Sequence, residues 1–240
     1  DMLPLFGGTD TQKGDFKKLI ATELGVDESA IYGSDLYLYN RMEPSIWGVN
    51  EEFISAPHLD DLQCAYSALQ GFLQGHNSKN INVMVCYDNE EVGSGTKQGA
   101  GSTFLHDVLH RINTALGKPE EAYYRALANS FMLSADNAHA VHPNHPEKTD
   151  ATNCVYMNEG IVVKSHAGQK YTSDAVSIAI FRKICEEAGV PVQFFSNRSD
   201  MAGGSTLGNI SSTKVAMNAV DVGLPQLAMH SSYETAGVKD

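Results

Sequence analysis

From Glu51 onward, apolar residues alternate between helical and strand-like spacing, and acidic residues recur just past the strand-like runs. Leu62, Tyr66, Leu69, Phe72 and Leu73 repeat at the interval of one helix face, and Val83-Met84-Val85-Cys86-Tyr87 follows as a short apolar strand. Further helices are expected at 102–115, 120–129 and 173–188, with strands at 131–133, 161–163, 192–195 and 215–220. This order predicts an α/β sandwich of three layers around a mostly parallel central sheet. Open sheets of that kind hold ligands beyond the carboxyl ends of their strands. Residues 1–50 read differently, with a Gly- and Thr-rich loop, a helix from Asp15 to Leu24 and a β-rich run at 34–40, so they are expected to form a small separate unit, with 51–240 as the main domain.

Seventeen Lys and Arg against 29 Asp and Glu give a formal charge of −12, which removes the broad electrostatic attraction that nucleic-acid binding relies on. Cys64, Cys86, Cys154 and Cys185 form no CxxC pair, so reduced core thiols are expected. No apolar run approaches the roughly 18 residues of a membrane span, and no signal segment is readable. The chain opens at Asp1-Met2-Leu3-Pro4 without an initiator Met; cytoplasm is the expected compartment.

Chemistry concentrates where strand-like runs end. Val83–Tyr87 leads into Asp88-Asn89-Glu90-Glu91-Val92-Gly93-Ser94, and adjacent residues of extended backbone point to different sides. One Glu can therefore bind a metal while its neighbour acts as a base. Residues 131–133 lead into Ser134-Ala135-Asp136-Asn137-Ala138-His139-Ala140-Val141-His142, where Asp136 is the ligand candidate and the two histidines are expected to support the loop. Asp60 stands at a predicted helix start, a position equally suited to an N-cap, and His230 follows an apolar segment in which a core histidine is the commoner outcome. Taken singly, an acidic turn, a cap and a buried imidazole are ordinary. Together, Asp60, Glu90, Glu91, Asp136 and His230 supply a carboxylate able to bridge two cations, terminal carboxylate and imidazole ligands, and one free base.

The four segments APHLDDL, YDNEEVGS, SADNAHAVHPN and PQLAMHSSYE resemble, in the same order, the metal-site segments of the aspartyl aminopeptidase family, and the resemblance extends over essentially the whole chain. It implies a zinc-peptidase-like fold in which Asp60 bridges two divalent ions, with zinc expected and cobalt or manganese as alternatives. Asp136 then completes one ion, Glu91 and His230 complete the other, and Glu90 is the general base. The family's HxD motif lies earlier than any segment of this sequence, and His58-Leu59-Asp60 is not it. One metal site is therefore expected to be incomplete and this chain alone to be inactive.

The resemblance also implies that Lys164 and Tyr171 contact a peptide substrate, Lys164 by pairing with an acidic first side chain, and that Gly203 and Gly204 approach it by their backbone. It implies homo-oligomers built from dimers, with residues 1–50 as part of a β-rich dimerisation domain. An N-acyl amino acid deacylase and an inert assembly module are the alternatives, and AHAVHPN and AMHSSYE match aminopeptidases better than deacylases.

Overall fold

The computed structural model describes residues 3–240, which divide into a unit ending at Tyr39 and a second unit, Asn40–Asp240. In the first, helix α1 (Asp15–Leu24) has the predicted bounds and stops at Gly25, whose φ of 66° suits a residue without Cβ. Phe16 of α1 meets Phe6 edge to face at 5.1 Å. The β-rich run expected at 34–40 forms no strand: Leu36, Tyr37, Leu38 and Tyr39 are all exposed, and β-propensity without a neighbouring strand produces no ladder.

The second unit contains strands β1 (Ser45–Trp47) and β2 (Phe53–Ala56), helices α2 (Leu59–Gln74), α3 (Phe104–Ala115) and α4 (Glu120–Ala128), then β3 (Phe131–Ala135), β4 (Ala138–His139) and β5 (Ile161–Ser165). Helix α5 (Ala175–Ala188), β6 (Val192–Ser196), α6 (Leu207–Ser211), β7 (Asn218–Gly223), β8 (Pro225–Leu227) and β9 (Glu234–Gly237) complete it. Helix α5 begins with a capping box in which the Asp174 carboxylate accepts from the Ser177 N–H while the Ser177 hydroxyl partners the Asp174 backbone.

Four strands form a sheet in the order β3-β7-β5-β6. The outer pairings β3/β7 and β5/β6 are parallel and β5 and β7 run antiparallel, so the sheet is mixed with two of its three pairings parallel. Successive β5 residues face opposite sides. Val163 joins Phe181 and Cys185 of α5 and Val220 and Val222 of β7 in one cluster, whereas Val162 packs with Ala138, Val155, Tyr171 and Phe195 in another. Lys164 shares the parity of Val162 and so points to the side opposite α5.

The second sheet has the order β1-β2-β9-β8-β4. Strand β9 lies antiparallel between β2 and β8. The chain leaving β2 toward Asp60 and the chain leaving β8 toward His230 therefore exit at the same end of this sheet, whereas β4, parallel to β8, is entered from Asp136 at the other end.

The run Val83–Tyr87 is not a strand. No described strand pairs with it, and it contributes side chains instead: Val85 and Tyr87 pack against Leu105, Tyr123, Leu127 and Val215. Cys64 and Cys185 are buried as expected of core thiols, but Cys86 is exposed. No described helix is long and apolar enough to cross a membrane.

Candidate metal centre

After β2 the chain turns through His58, in left-handed conformation at φ 58°, and Asp60 and Asp61 keep non-helical dihedrals at the head of α2. His58 is exposed, and Asp60 is not a helix cap. The Asp60 carboxylate points instead toward loops from distant parts of the chain.

His230 Nε2 lies 3.3 Å from Asp60 Oδ2 and 3.2 Å from Glu91 Oε1. Asp60, Glu91 and His230 each offer a ligating atom within 4.8 Å of the others, as do Asp60, Asp61 and Asp136. Asp60 belongs to both groups. The four residues singled out as ligands thus come together, joined by Asp61, whose only sequence signal was its place beside Asp60.

Several acids confined to one place oppose their own ionisation. Burial, followed by the charge of Asp136 and a hydrogen bond with Glu91, pushes Asp60 up to about 9. Burial and Asp136 push Asp61 to about 7. Glu90 is raised to about 7 by burial, then by Asp136 and Glu91. Moreover, Asp60 Oδ1 is buried with no hydrogen-bond partner. A cluster of hard oxygens and one imidazole, with an orphaned lone pair at its centre, fits divalent cations, which would both neutralise the carboxylates and occupy that lone pair.

Glu90 belongs to neither three-residue group but lines the same cavity of about 620 Å³. The tight turn that presents it has Asn89 at φ 60° and the Gly93 N–H donating to the Glu90 carbonyl at 2.8 Å. His139 and His142 also line the cavity. Both are exposed, and His142 Nδ1 accepts from the Asn144 N–H, the loop support expected of it.

Lys164 is not a surface lysine: it is 2% exposed. Its ammonium donates to the carbonyl oxygens of Asp136 at 2.7 Å and Asn137 at 3.2 Å, lies 3.5 Å from Asp136 Oδ2, and sits 5.5 Å from the centre of the Tyr171 ring. Burial opposes its charge, yet Asp136 and Asp221 outweigh that and hold its pKa above the ordinary value. Tyr171, itself buried, lines the cavity with Gly203 and Gly204. The Gly203 carbonyl accepts from Lys170, a Cβ there would meet the Asn197 amide, and Gly204 has open space around it.

Two further residues lie inside the motif segments but are given no role by the sequence. Buried Asn137 ties the acidic loops together, its N–H donating to Asp61 Oδ1 and its side-chain amide to the Leu59 carbonyl and Gln226 Oε1. Buried Glu234 accepts from the Asp60 N–H at 2.8 Å and the His230 N–H at 2.7 Å.

Residues 7–240 match the family model described as Aminopeptidase I zinc metalloprotease (M18). The chain belongs to the M18 family. It is 50% identical to a probable M18 family aminopeptidase 2 of Clostridium novyi (strain NT), covering 100% of this chain and 56% of that protein. A relative of the same description from Pseudomonas aeruginosa (strain UCBPP-PA14) is 38% identical over 95% of this chain and 53% of its own length. This M18 chain therefore spans about half the length of the curated relatives it matches. Its fold is that of an M18 aminopeptidase from Thermotoga maritima, with a TM-score of 0.86 at 27% identity over 99% of this chain and 54% of the other. It also matches the S. cerevisiae mApe1 dodecamer, at 0.82 and 30% identity over 94% of this chain and 51% of that one. The M18 assignment agrees with the resemblance carried by the four motifs and gives the mixed sheet its setting in a zinc-peptidase-like α/β sandwich.

Proposed function

We propose that this chain carries the metal-binding part of an aminopeptidase that removes one residue from the amino terminus of a peptide. The observation that carries the reading is the double membership of Asp60: a single carboxylate shared by two ligand groups is what a pair of neighbouring cations requires. Asp60 would bridge two divalent ions, zinc first among them. Asp136 would serve one, and Glu91 with His230 the other.

When bound, the ions supply Lewis acidity at the scissile carbonyl and an anchor for the substrate's free amino group. Glu90 takes a proton from the attacking water as the new C–O bond forms, then returns it to the departing amine nitrogen as the C–N bond breaks. Its half-buried place in the cavity, outside both ligand groups, suits a base that must exchange a proton with substrate. Lys164 and Tyr171 form one wall of the substrate site, and Gly203 and Gly204 allow backbone approach to the peptide. Preference for an acidic first residue is the finer form of the reading, supported by Lys148 in the cavity lining; Lys164 and Arg198 also line it but are paired with Asp136 and Asp200. Residues 1–50 would contribute to a dimerisation region, and assembly into homo-oligomers follows the precedent of the mApe1 dodecamer.

The test uses the full-length protein. Hydrolysis of aminoacyl nitroanilides should be abolished by a chelator and restored by zinc, with Asp- and Glu-nitroanilides cleaved faster than Leu-nitroanilide. Faster Leu cleavage would remove the acidic preference, and hydrolysis that survives complete metal removal would overturn the aminopeptidase reading.

A further inference from the structure

Glu234 opens β9, the strand that separates β2 from β8. Its Cα partner across the β2 ladder is Ala56, four residues before Asp60, while the next residue, Thr235, partners Leu227, three residues before His230. The side chain thus starts midway between the two segments that leave the sheet toward the metal centre. It is 2% exposed, and both carboxylate oxygens are used: Oε2 accepts from the Asp60 N–H at 2.8 Å and Oε1 from the His230 N–H at 2.7 Å.

From this geometry we infer that Glu234 is a positioning residue that sets the separation of Asp60 and His230 by holding both backbones with one carboxylate. The inference rests on the metal-site reading above. The less specific account is that Glu234 merely closes the local turn of residues 230–234. That turn needs only the bond to His230; the bond to Asp60 spans 174 residues and contributes nothing to it. His230 also has a φ of 67°, a left-handed conformation that L-residues avoid unless their surroundings impose it. The bond from its N–H to a buried carboxylate is such an imposition, and it directs the imidazole toward Asp60 and Glu91. Partners beyond the ligands themselves commonly act in this way, fixing ligand orientation and through it metal affinity.

Glu234→Gln tests the inference, because it preserves shape while leaving one oxygen acceptor and placing an amide NH2 against the other backbone N–H. Zinc titration by calorimetry should show a roughly 10- to 100-fold loss of affinity in the full-length variant relative to the unmodified full-length protein. The metal-free melting temperatures of both proteins separate this effect from general destabilisation, since a purely structural role would lower melting and leave the zinc affinity of the folded protein unchanged. Equal affinity in two folded proteins overturns the inference alone. Absence of zinc binding in the unmodified full-length protein overturns the metal-site reading and takes the inference with it. Should the variant not fold, amide exchange in the unmodified chain decides: the Asp60 and His230 amides should both be slow, and exchange of either at the rate of open loop amides would refute a two-point hold.

Discussion

The ammonium of Lys164 is bonded to the backbone carbonyl of Asp136, 2.7 Å away, and lies 3.5 Å from the carboxylate of the same residue. With the bond to the Asn137 carbonyl, both hydrogen bonds of the ammonium fall on one loop, so its first effect is to hold that loop in place. Replacement by Met leaves the Asp136 carboxylate without its buried counter-charge. Lys164→Met should therefore cost roughly 3 kcal/mol of folding stability. Urea unfolding at neutral pH measures this, and unchanged stability would show that the pair is not structural.

Glu90→Gln in the full-length protein removes the proposed proton carrier without touching the residues proposed as ligands. Turnover should fall by about 10²- to 10⁴-fold while zinc content stays at the unmodified level. Near-normal kcat would eliminate Glu90 as the base, and loss of zinc would reassign it as a ligand.

Gly223 and Gly71 predict opposite outcomes for the same substitution. A Cβ at Gly223 would overlap the carbonyl oxygen of Asp136, a backbone atom that can yield only by moving the loop, whereas Gly71, within α2, has nothing within 4 Å. Gly223→Ala should destabilise by about 1–3 kcal/mol and weaken zinc binding, because the displaced residue is a proposed ligand. Gly71→Ala should stabilise by about 0.5–1 kcal/mol. Thermal melts with and without zinc distinguish them.

The capping box of α5 gives stability a dependence on pH. Asp174 is held below its ordinary 3.8, first by the Ser177 backbone N–H. A carboxyl whose pKa is lowered by folding stabilises the native state above its unfolded value, and that contribution fades as pH drops below 3.8 through the folded value. Asp174→Ala should cost about 1 kcal/mol at pH 7. The difference from the unmodified chain should shrink in melts run progressively below pH 3.8.

The parts of this structure that could be read from the sequence are those with local causes. The α1 bounds follow from apolar spacing closed by Gly25, and the bodies of α3, α4 and α5 and of β3, β5 and β6 follow from periodicity alone. Asp60, Glu91, Asp136 and His230 stood out because each lies beside an apolar segment in a recognisable motif. Val83–Tyr87 was misread because period and apolarity report that side chains are buried, not that a neighbouring strand takes the backbone bonds. The antiparallel pairing of β5 with β7 is likewise a tertiary choice invisible along the chain. Asn137 and Glu234 act on backbone N–H and carbonyl groups, which every residue possesses, so nothing near their partners announces them.

The place of β9 between β2 and β8 also sets an order of assembly. Until residue 237 has emerged from a ribosome, β2 has no neighbour on that side, and Asp60 cannot be fastened to a chain segment made 174 residues later. Contacts of such long sequence separation form slowly. The carboxylate cluster is therefore a late product of synthesis, and a nascent chain halted before β9 would present an open strand edge in place of that cluster.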